Sequence, residues 1–365
     1  MDIKFLRNVF LKALSLFIIF NLILMALPTS FKGDQLSIYN HLVPGRERFP
    51  FGETPRQAYN FSLYDVDAMF ASHELDSPKS ANIKRIFVMG DSSVWGTLLK
   101  PEETLTGQLN TLSLSCKDNS LYFYNLGYPT ISVTKDLMLM QRSLAYQPDA
   151  VVWLTTLEAF PLDKQLASPL AANNQEILQP VIDYYGLPLT FEPQPNALLD
   201  KSLWGRRRAI ADWIRLQLYG IMYAATGVDQ IYPDYTPAAW DLEADQNYGQ
   251  YKPPTLPKEE MLFQALPAAK DMLGNIPLIL VNEPIMISTG QNSDLRYNYF
   301  YPRWAYDQYR EILSEVSIEN QIPLIDAWNW VDATSFTNSA IHMNAEAEQA
   351  FAERLSEQLL SRLCD

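Results

Sequence analysis

Apolar residues come along this chain in three rhythms. The first is one long run over residues 9–27, nearly the ~20 residues that a membrane-spanning helix needs, provided Lys12 extends towards the headgroups. It has no polar face, which argues against a buried core helix. The second rhythm begins at Ile83 and consists of short, almost continuous apolar runs at 85–89, 121–125, 150–155, 277–281 and 323–325. The third fills the gaps with helical periodicity, at 102–112, 133–144, 304–319 and a terminal amphipathic stretch, 345–363. Apolar strands alternating with helices predict a parallel sheet covered on both faces. With right-handed crossovers, the economical topology is an α/β fold: a three-layer α/β/α sandwich around a parallel five-stranded sheet. No internal repeat is visible.

The same pattern divides the chain. Residues 1–30 read as an anchor or signal, 31–82 as a lead-in segment, and 83–365 as the α/β domain, interrupted by a large, mainly helical insertion at about 161–267. Lys4, Arg7 and Lys12 precede the first apolar run, as in signal peptides and signal anchors. Its exit, Ala26, Leu27 and Pro28, offers no small-x-small cleavage site, so an uncleaved anchor is expected, with a cleaved signal and secretion as the alternative. Basic residues stay inside, which places everything after Pro28 outside the cytoplasm. In the lead-in, 44–52 reads as a Pro/Gly-punctuated surface loop and 65–73 as a short helix or turn. His41 and His73 read as ordinary surface histidines. In the insertion, Trp204, Ile210, Trp213, Ile214 and Leu218 recur near helical spacing behind Arg206, Arg207 and Arg208. A cap helix packed on the sheet domain is the first reading, and a helix resting on the bilayer the second. Asp212 and Arg215 argue against another span. Residues 232–257 read as an irregular lid or surface loop.

Composition narrows the function classes. The 365 residues suffice for a large core, and a net charge of −14 argues against a nucleic-acid surface. Three histidines and two distant cysteines, Cys116 and Cys364, lack metal-site spacing, so no metal and no cofactor is expected. The cysteines either pair or remain buried thiols.

Candidate chemistry lies where the apolar runs end, because open α/β sheets bind ligands beyond the carboxyl ends of their strands. The first run ends in Gly90, Asp91 and Ser92, with Ser92 as candidate nucleophile and Asp91 beside it. A serine hydroxyl needs a base, and His342 stands in the most suggestive setting. The second run ends in Asn125 and Gly127, and glycine there permits close backbone approach. The third leads to Glu158, the fourth to Asn282 and Glu283, and a late segment carries Ser339, His342 and Asn344. Residues 296–306 are aromatic-rich. Exposed members, with Tyr299, Tyr301 and Arg303 expected among them, would suit a sugar ring or an acyl group, whereas buried ones would be core.

Gly90, Asp91 and Ser92 after a first strand, Asn125 and Gly127 after a second, and His342 with Asn344 before the last helix resemble the SGNH (GDSL-type) hydrolases. The resemblance runs from Ile83 to the end, outside the insertion. It implies a flavodoxin-like sandwich in which Ser92 is the nucleophile, His342 the general base, and the N–H groups of Ser92 and Gly127 the oxyanion hole. Two positions depart from the family pattern. Glu158 stands where an asparagine donates to the oxyanion, and loss of one such donor costs about 10²–10³ in rate. Ser339 stands where an aspartate orients the histidine; Asn338 precedes it, and neutralising that partner in a serine protease costs about 10⁴. Asp332, Asp326, Glu283 and Glu158 are candidate substitutes. The resemblance implies an anchored esterase or acyltransferase for acyl groups, acetyl above all, on cell-surface glycans or small esters, with a membrane-bound O-acyltransferase as partner. A non-catalytic glycan- or partner-binding protein is the rival, and a lipase a third option.

Overall fold

The computed structural model describes residues 2–26, 45–51, 64–191, 201–226 and 234–364, with Ile38 and Leu42. His41, Pro28, Pro44 and Tyr232 lie outside the described residues. All five expected strands form, each within two residues of its expected ends: β1 (Ile83–Gly90), β3 (Asn119–Gly127), β4 (Ala150–Thr155), β5 (Leu278–Asn282) and β6 (Leu324–Asp326). They are parallel, and a sixth strand, β2 (Ser115–Cys116), adds an antiparallel edge to β3, so the order is β2-β3-β1-β4-β5-β6. The sheet is therefore six-stranded rather than five-stranded. Two residues are too short a run to show a strand period.

Strand alternation sorts the side chains into two cores. Phe87, Met89, Val151, Trp153, Leu278 and Leu280 join one, against α5 (Val133–Ser143), α9 (Ala265–Leu273) and α10 (Arg303–Glu319). Ile86, Val88, Val152, Leu154, Ile279 and Val281 join the other, against α4 (Leu105–Thr111) and α11 (Ala345–Leu363). This is the expected three-layer sandwich. The remaining helices are α1 (Ile3–Ala26), α2 (Val66–Ala71), α3 (Ser92–Trp95), α6 (Pro169–Asn173), α7 (Gln175–Tyr185) and α8 (Arg207–Thr226). Helix α1 is 24 residues long with no buried residue, long and apolar enough to cross a membrane.

Two expectations change. Arg48 in the lead-in is buried, its Nη1 donating to the Trp95 and Gly96 carbonyls at 3.2 and 2.9 Å with the guanidinium 4.1 Å over the Trp95 ring. Trp95 Nε1 answers by donating to the Phe49 carbonyl at 2.8 Å. Residues 45–51 thus pack on the turn that carries Ser92 instead of running over the surface. His73 is buried too, and is no surface histidine. Its Nδ1 accepts from Leu75 N–H at 3.1 Å, leaving Nε2–H to donate to the Asn125 carbonyl at 2.9 Å. Cys116 and Cys364 form a disulfide joining β2 to the end of α11.

Candidate active site

The Gly90–Gly127 pairing brings the exits of β1 and β3 level, and Thr155, Asn282 and Asp326 align the next three. At the first exit, Asp91 caps the single turn α3 by accepting Ser93 N–H at 2.9 Å, and Ser92 takes the first helical position. Its N–H has no preceding carbonyl within the turn to bond. The turn closes on Gly96, whose φ of +85° is left-handed and suited to glycine.

His342 meets Ser92 across 250 positions of sequence: Nε2 lies 2.7 Å from Ser92 Oγ. The other ring nitrogen, Nδ1, lies 2.8 Å from Asn338 Oδ1. An amide oxygen accepts, so Nδ1 carries the hydrogen and Nε2 presents its lone pair to the serine hydroxyl. Removal from water lowers the His342 pKa from 6.5 to about 4. Among the described residues, no carboxylate lies within hydrogen-bonding distance of the imidazole. Asn338 completes a Ser–His–Asn constellation, chemically akin to the Cys–His–Asn set known from other folds.

Asn125 stitches the neighbouring exit to the same turn, with Nδ2 donating to the Val94 carbonyl at 2.7 Å and Oδ1 accepting Gly127 N–H at 3.0 Å. Gly127 is needed for space: a Cβ there would lie 2.4 Å from Trp95 N. Its N–H is engaged by Asn125, so serving an oxyanion requires an exchange of partner.

The other candidate residues separate into roles. Asp91 is buried, with its pKa raised chiefly by burial, and it caps the turn without touching His342. Glu283 accepts the Ser93 hydroxyl from below, and burial, then the nearby Asp91 charge, holds its pKa far above the usual range. Asn282 is buried, donating to Asp326 at 2.8 Å and accepting from Tyr306 and Tyr309. Glu158 turns to Lys164 and to the Tyr248 hydroxyl at 2.9 Å. Asp326 pairs with Arg310, and Asp332 caps a turn at Thr334. Asn344 caps α11 through Ala347 N–H. Ser339 lies 3.3 Å from the Tyr299 hydroxyl, which also accepts Ala340 N–H at 3.1 Å. In the aromatic loop, Tyr299 is 40% exposed as expected. Tyr301 is fully buried, 2.9 Å from Thr156 Oγ1, and Arg303 is half-buried, stacked 4.2 Å over Tyr297. Those two anchor the loop: Tyr301 packs between Tyr248 and Tyr306, and Arg303 Nε donates to the Ser293 carbonyl at 2.7 Å.

A cavity of about 570 Å³ opens between this loop and the insertion. Its wall includes Tyr248, Tyr251, Tyr299 and Phe300, with Glu158, Asp163, Asp241, Glu243 and Asp245 against Lys164 and Arg296. Tyr299 joins it to the His342 loop through its bonds to Ser339 and Ala340. Asn338 and Arg48 are the residues that sequence reading missed. A search confined to carboxylates passes over an amide four positions before the histidine, and nothing in the pattern ties residue 48 to residue 95.

No family model and no curated protein sequence matches the chain. Similar solved structures include a lipase/acylhydrolase from Enterococcus faecalis, at 12% identity over 76% of this chain and 96% of that one, with a TM-score of 0.39. A member of the lipolytic G-D-S-L family from Veillonella parvula has 11% identity over 75% and 97%, with a TM-score of 0.36. A carbohydrate acetylesterase family member from Sinorhizobium meliloti has 12% identity over 77% and 99%, with a TM-score of 0.35. Overlaps this distant decide nothing about chemistry. The chain's own order of parts speaks more directly: a serine on the first turn after β1, a glycine at the end of β3, and a histidine just before the last helix, reaching back to that serine. That arrangement, on a parallel three-layer sandwich, is the one expected from the resemblance to the SGNH hydrolases.

Proposed function

We propose that this chain is a serine esterase or O-acyltransferase acting on ester-linked acyl groups, acetyl foremost, of cell-surface glycans. The observation that carries the reading is the 2.7 Å contact between His342 Nε2 and Ser92 Oγ. Ser92 Oγ bonds to the ester carbonyl carbon as its proton passes to Nε2. The carbonyl oxygen becomes an oxyanion beside the Ser92 N–H, with Gly127 N–H as second donor once Asn125 releases it. The carbon–oxygen bond to the alcohol then breaks, and His342 returns the proton to the departing alkoxide. Water or a sugar hydroxyl repeats the sequence in reverse on the acyl-serine, giving hydrolysis or transfer. Asn338 holds the imidazole without touching substrate.

The cavity beside the His342 loop supports a polyhydroxylated alcohol, since its carboxylates accept hydroxyl hydrogens and its rings stack on apolar sugar faces. The disulfide supports an oxidising compartment, and the basic residues ahead of α1 support an anchor with the domain outside the cytoplasm. A membrane-bound O-acyltransferase fits as the source of acyl groups. A fluorophosphonate probe tests the nucleophile: the wild type labels and Ser92→Ala does not. Absence of labelling in the wild type defeats the proposal.

Two observations favour a second reading, a glycan binder on a catalytically silent site. The Gly127 N–H is already bonded, and Glu158 stands where the family pattern has an oxyanion-donating asparagine. Retention of acetylated glycan by wild type and Ser92→Ala alike, without acetate release, would select it.

A further inference from the structure

The insertion helix α8 has two apolar faces. Leu216 and Gly220 are buried on the side facing the domain. On the opposite side Ile214, Leu218 and Ile221 fall at i, i+4 and i+7, one stripe, and are 44%, 68% and 38% exposed. Trp204, in the turn before the helix, is 72% exposed, with the Arg207 guanidinium 4.7 Å over its ring. A helix on a water-facing surface is ordinarily polar on its outer side.

The turn that leads into this helix touches α1. Leu203 N–H donates to Asn21 Oδ1 at 3.0 Å, and Asn21, Leu24 and Met25 are the only described positions of α1 that are partly covered. Asn21 lies five residues before α1 ends, roughly 7 Å along its axis. If α1 spans the bilayer up to Ala26, the turn leading into α8 is held about 7 Å below the edge of the apolar layer. Interfacial helices sink their apolar face by about 5–10 Å. Arg207 carries a cation beside the stripe on a side chain long enough to extend towards headgroup phosphates.

We propose that α8 lies in the membrane interface beside α1, in the leaflet at the Ala26 end, with Trp204, Ile214, Leu218 and Ile221 facing the acyl chains. The occupant of the stripe is lipid. The inference rests on α1 being a membrane anchor and is independent of the esterase reading.

The test uses the full-length chain in lipid nanodiscs. The described cysteines are both in the disulfide, so a single new thiol can be labelled selectively. An environment-sensitive fluorophore is placed at Leu218→Cys and, as control, at Ile318→Cys, a position 76% exposed on α10. Shallow spin-labelled lipids should quench the residue-218 probe at least twofold and shift its emission to the blue, leaving the residue-318 probe unchanged. Equal, unquenched emission at both positions would overturn the proposal. So would a blue shift that follows protein concentration instead of lipid, which would assign the stripe to a second copy, or failure of the chain to stay in the discs.

Discussion

Replacing Asn338 by aspartate probes whether the imidazole lacks charge support or lacks only orientation. In the wild type the neutral amide fixes the ring but gives an imidazolium no counter-charge, and removal from water brings the His342 pKa to about 4. The base form therefore persists well below neutral pH, and the acid limb of kcat/KM should lie near pH 4 rather than 6.5. A carboxylate 2.8 Å from Nδ1 would stabilise the imidazolium formed during attack. At an effective dielectric near 20, two charges about 4 Å apart interact by about 4 kcal/mol, an upper bound near three powers of ten. Asn338→Asp is expected to raise kcat/KM for p-nitrophenyl acetate by 10- to 1,000-fold above pH 7 and to move the acid limb upward. Asn338→Ala removes one neutral hydrogen bond, about 0.5–1.5 kcal/mol, and should cost about 2- to 13-fold. Rates are compared from pH 4 to 9 with Ser92→Ala as blank. A wild-type acid limb at 6.5, or an aspartate variant with neither a faster rate nor a shifted limb, would refute the reasoning.

Three further outcomes follow from the packing. Gly127→Ala should abolish labelling of Ser92 and destabilise the fold by about 1–3 kcal/mol, because the new Cβ meets backbone at 2.4 Å; an active, stable variant contradicts this. Arg48→Met removes charge-assisted bonds to the Trp95 and Gly96 carbonyls, so denaturation should show a loss of about 1.5–3 kcal/mol and kcat should fall more than KM changes. His73 has its pKa lowered to about 4 by burial. The unfolded chain protonates it near 6.5 while the folded chain resists until about 4, so stability is lost as pH falls across that interval, on the order of 3 kcal/mol in all. His73→Gln should flatten that slope in urea titrations.

The sandwich was readable because parallel strands buried on both faces leave nearly unbroken apolar runs, as at 150–155, where the expected and observed bounds coincide. Ser92 and His342 were readable because each follows a strand or precedes a helix at a place where side chains reach the sheet's rim. The partners of those residues were not. Asn338 acts through one amide oxygen, and a sequence does not record which polar group faces a ring. Arg48 and His73 act on carbonyls distant in sequence, and backbone acceptors leave no residue-type signal. Tyr301 and Arg303 looked like Tyr299 in the sequence, and only tertiary contacts separate them, Tyr301 with Thr156, Tyr248 and Tyr306 and Arg303 with Ser293 and Tyr297. The edge strand at 115–116 is defined by its bond to β3 and by the cysteine that it carries.

That cysteine has a consequence for handling the protein. Its bond to Cys364 closes a ring that includes His342, Asn338 and the whole insertion but leaves Ser92 outside. A single cut anywhere between the two cysteines, which are 248 positions apart in sequence, would leave both fragments covalently attached. A clipped preparation would keep its mass until a reductant was added, and intact size on a non-reducing gel would say nothing about an unbroken backbone.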